Sequence, residues 1–91
     1  MKHIFIVNPV SGKGKAGYIV KNIEKVCGEE NLEYEIRYTT RPKEAITIAR
    51  EYLDCENIIY AVGGDGTLNE VLNGLVGTKN MISTIPIRKR K

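Results

Sequence analysis

Residues 58–70, IIYAVGGDGTLNE, decide the fold of this chain. An apolar run at residues 58–62 leads into a turn of three glycines and one aspartate at residues 63–66, and a helical pattern follows, in which Thr67 and Glu70 have capping-box spacing. Backbone N–H groups approach an anion closely where Cβ atoms are absent, and a helix start offers free donors and a positive dipole end. The stretch therefore predicts a buried strand, a glycine-rich turn and a helix with a phosphate site at its N-terminus.

Asp65 lies inside this turn, where its negative charge would repel a bare phosphate. A carboxylate at that point is useful if it acts on a metal ion, a ribose hydroxyl or a proton in transfer. The alternative is a tight strand-to-helix turn that binds nothing. Three glycines and an aspartate, however, are more than such a turn requires.

Composition and charge limit the class of protein. The chain has 91 residues, of which 42% are hydrophobic, as expected for one small globular domain or part of a larger one. Its apolar runs are too short to span a bilayer, and no leader precedes the first strand, so we expect a cytoplasmic location. The net charge of +3 comes from a basic tail at residues 88–91. The rest is slightly acidic, and we expect no nucleic-acid partner. Cys27 and Cys55 lack metal-ligand spacing and are expected to be reduced, buried side chains.

The apolar pattern predicts four strands alternating with three helices. The strands are expected at residues 3–7, 32–38, 57–62 and 81–87, the second nearer the sheet edge, and the helices at 16–31, about 40–53 and 67–76. Gly28 is expected to end the first helix, and Thr39 or Thr40 to cap the second with Pro42 in its first turn. This βαβαβαβ order predicts an α/β fold, a three-layer, Rossmann-like parallel sheet.

Parallel topology brings three loops together. The carboxyl ends of parallel strands share one edge of a sheet, and ligands bind there. Residues 8–15 follow the first strand, residues 39–40 the second and residues 63–67 the third. We therefore expect these three segments to form one site.

The first loop does not fit the two generic nucleotide motifs completely. Neither Gly-Lys pair in residues 8–15 has the earlier glycine that a phosphate-binding P-loop requires. Gly12, Gly14 and Gly17 do match the dinucleotide pattern G-x-G-x-x-G. That pattern also needs an acidic residue at the end of the second strand, where this chain has tyrosine and threonine. A Rossmann dehydrogenase is therefore disfavoured, and Lys13 and Lys15 are either phosphate contacts or solvated loop charges.

Two motifs together resemble one family. Asn-Pro-x-Ser-Gly after the first strand and Gly-Gly-Asp-Gly-Thr-Leu-Asn-Glu-Val after the third are similar to the diacylglycerol kinase catalytic domain, above all to bacterial lipid kinases. The resemblance covers residues 2–87. The second motif alone is less specific, because NAD kinases and phosphofructokinases have related turns, and an NAD-kinase-like enzyme stays an alternative.

The resemblance implies ATP-dependent phosphorylation of a lipid hydroxyl, with Mg²⁺, by a protein that can contact a membrane surface peripherally. It also implies the nucleotide-binding residues and makes Asp65 the catalytic candidate. The implied nucleotide-binding residues are Asn8, Pro9, Val10, Ser11 and Gly12 in the first loop, Thr40 in the second, and Gly64, Asp65, Gly66, Thr67, Leu68, Asn69 and Glu70 in the third. No residue is assigned as a metal ligand, and a homo-oligomer is left open.

The chain departs from the family pattern near residue 88. Family members continue after the fourth strand with Pro-x-Gly-Thr-x-Asn-Asp, whereas Arg88 and Lys89 occupy the Gly-Thr positions here. The resemblance also implies a second, β-rich domain that supplies the base, the metal ligands and much of the lipid site. We therefore expect residues 1–87 to be an incomplete ATP-binding lobe that is inactive alone, and residues 88–91 a basic tail. The alternative function is a non-catalytic nucleotide-binding fragment.

Overall fold

A computed structural model describes residues 2–10, 15–52, 57–75 and 81–86. Its strands are β1 (Lys2–Val7), β2 (Tyr34–Tyr38), β3 (Asn57–Gly63) and β4 (Met81–Pro86). Its helices are α1 (Lys15–Glu29), α2 (Glu44–Arg50) and α3 (Asp65–Gly74). The four described strands pair in parallel in the order β2-β1-β3-β4, which confirms the predicted α/β sheet.

Alternating side chains of β1 build a core on each face of the sheet. Ile4 and Ile6 join a buried cluster with residues of α2, α3 and β3, whereas Phe5 and Val7 join a second cluster with α1. Successive side chains in a strand point to opposite faces, so an unbroken apolar strand requires cover on both. The helices supply that cover, and the predicted three layers are confirmed. Strand β2 lies at the sheet edge, also as predicted.

Helix α1 ends at a different residue from the one expected. Gly28 lies within the helix, and the reversal occurs at Asn31, whose φ is 54°. The N–H of Leu32 bonds to the carbonyl of Cys27 at 2.9 Å, and that of Asn31 bonds to the carbonyl of Gly28 at 3.3 Å. This is the Schellman pattern, which places a left-handed residue after the helix, and asparagine adopts that conformation more readily than most residues.

The starts of α2 and α3 also differ from the predictions. Helix α2 begins only at Glu44, after a left-handed Lys43, so the predicted cap at Thr39 or Thr40 is wrong. Helix α3 begins at Asp65 with Gly64 as its N-cap and no side-chain cap bond. The predicted capping box is therefore wrong.

Helices α2 and α3 pack against each other through Gly74. A Cβ atom placed on Gly74 would lie 2.8 Å from the Cβ of Ala49 and 2.9 Å from the carbonyl oxygen of Ile46. Such distances are shorter than carbon contacts allow, so glycine is required for this helix pair to approach closely. The close packing fixes the two helices whose first turns border the site described below.

Cys27 is a buried thiol, and burial raises its pKa. The expectation for Cys55 lies outside the described residues. Among the helices in the described part of the chain, none has both the length and the apolar content that crossing a bilayer would require.

Candidate functional site

A cleft opens at the carboxyl ends of β1, β2 and β3, where the three loops meet. Its volume is about 560 Å³. The first loop contributes Asn8, Pro9 and Val10, the second contributes residues 39–42 with Ala45, and the third contributes Gly66, Thr67 and Glu70. The predicted convergence of the loops is thus confirmed for the residues that the structure describes. Ser11, Gly12 and Lys13 lie outside them.

The first loop is shaped by Asn8. Its backbone N–H bonds to the carbonyl of Val62 at 3.1 Å and so extends the pairing of β1 with β3. Its side-chain Oδ1 accepts a hydrogen bond from the N–H of Val10 at 3.2 Å. This is an Asx turn, a local bond that directs the chain out of a strand. The side-chain oxygen of Asn8 thus maintains the loop, and Val10 is left strongly exposed beside the cleft.

The second loop holds a carboxylate where the resemblance implies nucleotide contact. Both the N–H and the hydroxyl of Thr40 donate to Oε1 of Glu44, the hydroxyl at 2.9 Å. The backbone bond from Thr40, followed by its hydroxyl bond, lowers the pKa of the Glu44 carboxyl. An N–H and an O–H that converge on one oxygen are also suited to a phosphate oxygen.

At Gly66 the third loop presents backbone to the cleft. A Cβ atom placed on Gly64 or Gly66 would find no neighbouring atom within 4 Å, and Gly64 has an ordinary φ of −90°. Packing therefore does not require glycine at either position. Gly66 lies in the first turn of α3 and lines the cleft, where N–H groups have no partner inside the helix. The missing Cβ of Gly66 thus leaves open space beside the backbone N–H groups of α3.

The remaining predicted residues divide into three groups. Thr67 is buried in the cleft wall, and Glu70 lines the cleft farther along α3. Gly64, Leu68 and Asn69 are not among the described residues that line it, and Leu68 packs against the core cluster of α2 and α3. Asp65 is the first residue of α3, which places its backbone at this end of the helix.

Three cleft residues were not identified from the sequence: Arg41, Pro42 and Ala45. Thr39 continues the β1–β2 pairing through its N–H, which bonds to the carbonyl of Val7 at 2.9 Å. Arg41 brings a cation to the cleft, and the ion pairs found among the described residues, Lys2–Glu35 and Arg37–Glu51, do not involve it. Arg41 follows Thr39 by two residues at the predicted edge of the sheet, and this position was the sequence signal that could have identified it.

The described side chains do not form a metal site by themselves. No group of three or more His, Cys, Asp or Glu residues is close enough to hold a metal ion among the side chains that the structure describes. The charged side chains described in the cleft are Arg41 and Glu70. Beside its apolar residues, the described lining offers backbone donors, hydroxyls, one guanidinium and one carboxylate for polar contacts.

A second cavity lies on the other side of the sheet, beside α1. It has a volume of about 430 Å³, and its lining includes Phe5, Ile23, Val26 and Cys27, with His3 and Tyr60 at one wall. Nδ1 of His3 and the hydroxyl of Tyr60 are 2.8 Å apart, and the ring of Tyr60 stacks on Phe5. This apolar groove contains almost no polar surface and shares no lining residue with the cleft.

The family model for the diacylglycerol kinase catalytic domain matches residues 2–87. The chain belongs to this family. The resemblance identified from the two motifs is confirmed, and both motifs contribute described residues to the cleft lining, residues 8–10 from the first and Gly66, Thr67 and Glu70 from the second.

Individual relatives are lipid kinases much longer than this chain. Sphingoid long-chain bases kinase 1 of Arabidopsis thaliana is 35% identical over 82 residues, which are 87% of this chain and 11% of that protein. Sphingoid long chain base kinase 5 of Saccharomyces cerevisiae is 42% identical over 77 residues, 81% of this chain and 11% of that protein. A crystal structure of a diacylglycerol kinase from Bacillus anthracis superposes with a TM-score of 0.70 and 25% identity, over 93% of this chain and 32% of that one. The chain thus spans a third or less of these relatives.

Proposed function

We propose that this chain binds ATP in the cleft, with the phosphates at the N-terminus of α3. It would serve as the nucleotide-binding lobe of a kinase that transfers the γ-phosphoryl group to a lipid hydroxyl. The observation that carries this proposal is Gly66, a helix-start glycine that packing does not require and that faces the junction of three loops. Phosphoryl transfer depends mainly on positioning and charge neutralisation, and fixed backbone donors supply both.

The size and chemistry of the cleft fit a nucleotide. A volume of about 560 Å³ lies within the range typical of small-molecule sites. The N–H groups of the first turn of α3 would bind phosphate oxygens, and the absence of a Cβ at Gly66 would let those oxygens approach. The hydroxyl and N–H of Thr40 would bind the nucleotide once Glu44 releases them.

Arg41 is proposed to neutralise part of the triphosphate charge. The guanidinium group keeps its charge at any physiological pH, and its planar donors suit phosphate oxygens. Arg41 lines the same cleft as Gly66 and Thr67, at the start of α3. A phosphate between them would meet donors on both sides.

Mg²⁺ is proposed to arrive with ATP and to shield the charge of the phosphates. The described side chains do not supply a complete ligand set, so no step is assigned to the metal. Asp65 is proposed to act on the nucleotide-bound metal or on the proton in transfer, because its backbone begins the helix that faces the phosphates. If it acts through the metal, Asp65→Asn should reduce the dependence of ATP affinity on Mg²⁺. Equal Mg²⁺ dependence in both proteins would exclude that role.

The acceptor is proposed to be a lipid alcohol. The relatives bear the names of sphingoid base and diacylglycerol kinases, and both substrates carry hydroxyl groups. We accordingly propose a cytoplasmic protein that meets its substrate at a membrane surface. The second candidate is a nucleotide-binding chain without catalysis. Lipid phosphorylation by the chain alone would exclude this second candidate.

Calorimetric titration with ATP, ADP, AMP and adenosine tests the proposed nucleotide site. If the phosphates bind at α3, affinity should fall with each phosphate removed, and adenosine should bind weakest. Equal affinity for all four ligands, or no binding of any of them, would contradict the proposal.

A further inference from the structure

Lys43 has an unusual backbone conformation at the edge of the cleft. Its φ is 68° and its ψ is 0°, in the left-handed region that residues other than glycine rarely adopt. Among the described residues other than glycine, Asn31 and Lys43 have positive φ. Asn31 is explained by its helix-ending motif. Lys43 precedes a helix, and no side-chain cap bond forms there.

A residue of another element holds Lys43 in this conformation. Oε2 of Glu70, on α3, accepts a hydrogen bond from the backbone N–H of Lys43 at 3.3 Å. The carbonyl oxygen of Lys43 accepts a bond from the N–H of Ile46 at 3.2 Å in the first turn of α2. Both the N–H and the carbonyl of Lys43 are therefore hydrogen-bonded, and one of the two partners is 27 positions away in the chain.

The conformation of Lys43 determines where the second loop lies. Residues 40–42 precede it and line the cleft, with Glu70 in the same lining. If Lys43 returned to an ordinary negative φ, the direction of the chain before α2 would change. Thr40 and Arg41 would then move relative to the start of α3.

We propose that Glu70 is a positioning residue for nucleotide binding. Its carboxylate holds the backbone of Lys43 in the left-handed conformation, and this places residues 40–42 opposite the N-terminus of α3. Glu70 thus acts through the second loop and not by direct contact with the nucleotide. This inference rests on the proposed function, because its main readout is affinity for ATP.

The proposal makes a specific demand on side-chain chemistry. The bond to Lys43 needs a hydrogen-bond acceptor at position 70, and a glutamine side chain still provides a carbonyl oxygen. A carboxylate that acted through its charge, on a metal or a proton, could not be replaced in this way. Glycine at position 43 would adopt a positive φ without steric cost and would need the bond much less.

Four variants of the 91-residue chain test the proposal by titration with Mg-ATP, each with a measured melting temperature. Glu70→Ala should weaken ATP binding about fivefold, the effect of one net hydrogen bond on the population of the binding-competent loop. Glu70→Gln should stay within about twofold of the unmodified chain, and Lys43→Gly added to Glu70→Ala should recover most of the lost affinity. Ile23→Val is the structural control: it removes a methylene group from the core beside α1 and should lower the melting temperature without changing ATP affinity.

The outcomes separate this inference from the proposed function. Absence of ATP binding by the unmodified chain would overturn the proposed function and the inference with it. ATP binding that Glu70→Ala leaves unchanged would overturn the inference alone. A loss in Glu70→Ala that Lys43→Gly does not recover, or an equal loss in Glu70→Gln, would show that the carboxylate acts directly on the ligand or its metal.

Discussion

Gly66→Ala separates a phosphate-binding role of this glycine from a folding role. The added methyl group would meet no protein atom within 4 Å, and the position lies inside a helix. Alanine is favoured over glycine in helix interiors by up to about 1 kcal/mol, and by less in a first turn. For a domain of this size 1 kcal/mol shifts the melting temperature by roughly 4–8 °C. We therefore expect Gly66→Ala to melt at the same temperature or a few degrees higher.

Gly66→Ala should weaken ATP binding although it does not lower stability. If the methyl group occupies the space where phosphate oxygens approach the backbone, one charge-assisted hydrogen bond is lost. Such bonds contribute about 1.5–3 kcal/mol, which corresponds to roughly tenfold to hundredfold weaker binding. Calorimetric titration with Mg-ATP, together with thermal melting, measures both quantities on the same sample.

Gly28→Ala is the matched control. Gly28 also lies in a helix, and a Cβ there also meets no atom within 4 Å, but it is in α1 and away from the cleft. It should gain stability in the same way and leave ATP affinity unchanged. Unaltered ATP binding by Gly66→Ala would refute the reasoning, because the missing Cβ would then serve no ligand. Equal losses of ATP affinity in Gly66→Ala and Gly28→Ala would show a general effect of alanine.

Three further predictions concern charge, packing and pH. Arg41→Gln should weaken ATP binding by roughly tenfold at low salt and should change adenosine binding little. Arg50→Gln, at the far end of α2, should change the affinity for neither ligand. Equal effects of Arg41→Gln on ATP and adenosine binding would exclude a phosphate contact. Gly74→Ala should lower the free energy of unfolding by about 1–3 kcal/mol, because its methyl group would overlap α2; denaturant unfolding measures this, and an unchanged midpoint would show that the helices can separate freely. The hydrogen bond from Arg37 lowers the pKa of the Glu51 carboxyl. The stabilisation of the fold by this bond should be present above the ordinary pKa of 4.5 and lost as the pH falls through the lowered pKa of the folded state. Glu51→Gln should therefore flatten the acid side of the plot of melting temperature against pH, and an unchanged slope would contradict this.

The sheet was predictable because its signals are local and repeated. Residues 4–7 are apolar and buried on both faces of the sheet, a pattern typical of a parallel strand that is covered on both sides. Once the strands are parallel, the meeting of the three loops follows from topology. The three segments that line the cleft could therefore be identified from their positions after the strands.

The helix starts were not predictable because several compatible hydrogen bonds compete for the same groups. Thr67 and Glu70 have the spacing of a capping box, but the helix begins two residues before Thr67, and Glu70 binds Lys43 instead. Thr40 has the chemistry of a cap, but Glu44 occupies both of its donors. Local sequence patterns do not show which of two compatible hydrogen bonds forms, and tertiary packing makes that choice.

Nuclear magnetic resonance of the ¹⁵N-labelled chain during titration with Mg-ATP tests the central claim most directly. We predict that the largest amide shifts occur at Gly66, Thr67 and Thr40, at the start of α3 and in the facing loop. Adenosine should shift the α3 amides much less, because it carries no phosphate. Amide shifts concentrated along the apolar groove beside α1, at Ile23 and Val26, or α3 shifts of equal size with adenosine, would contradict the claim that this cleft binds the phosphates of ATP.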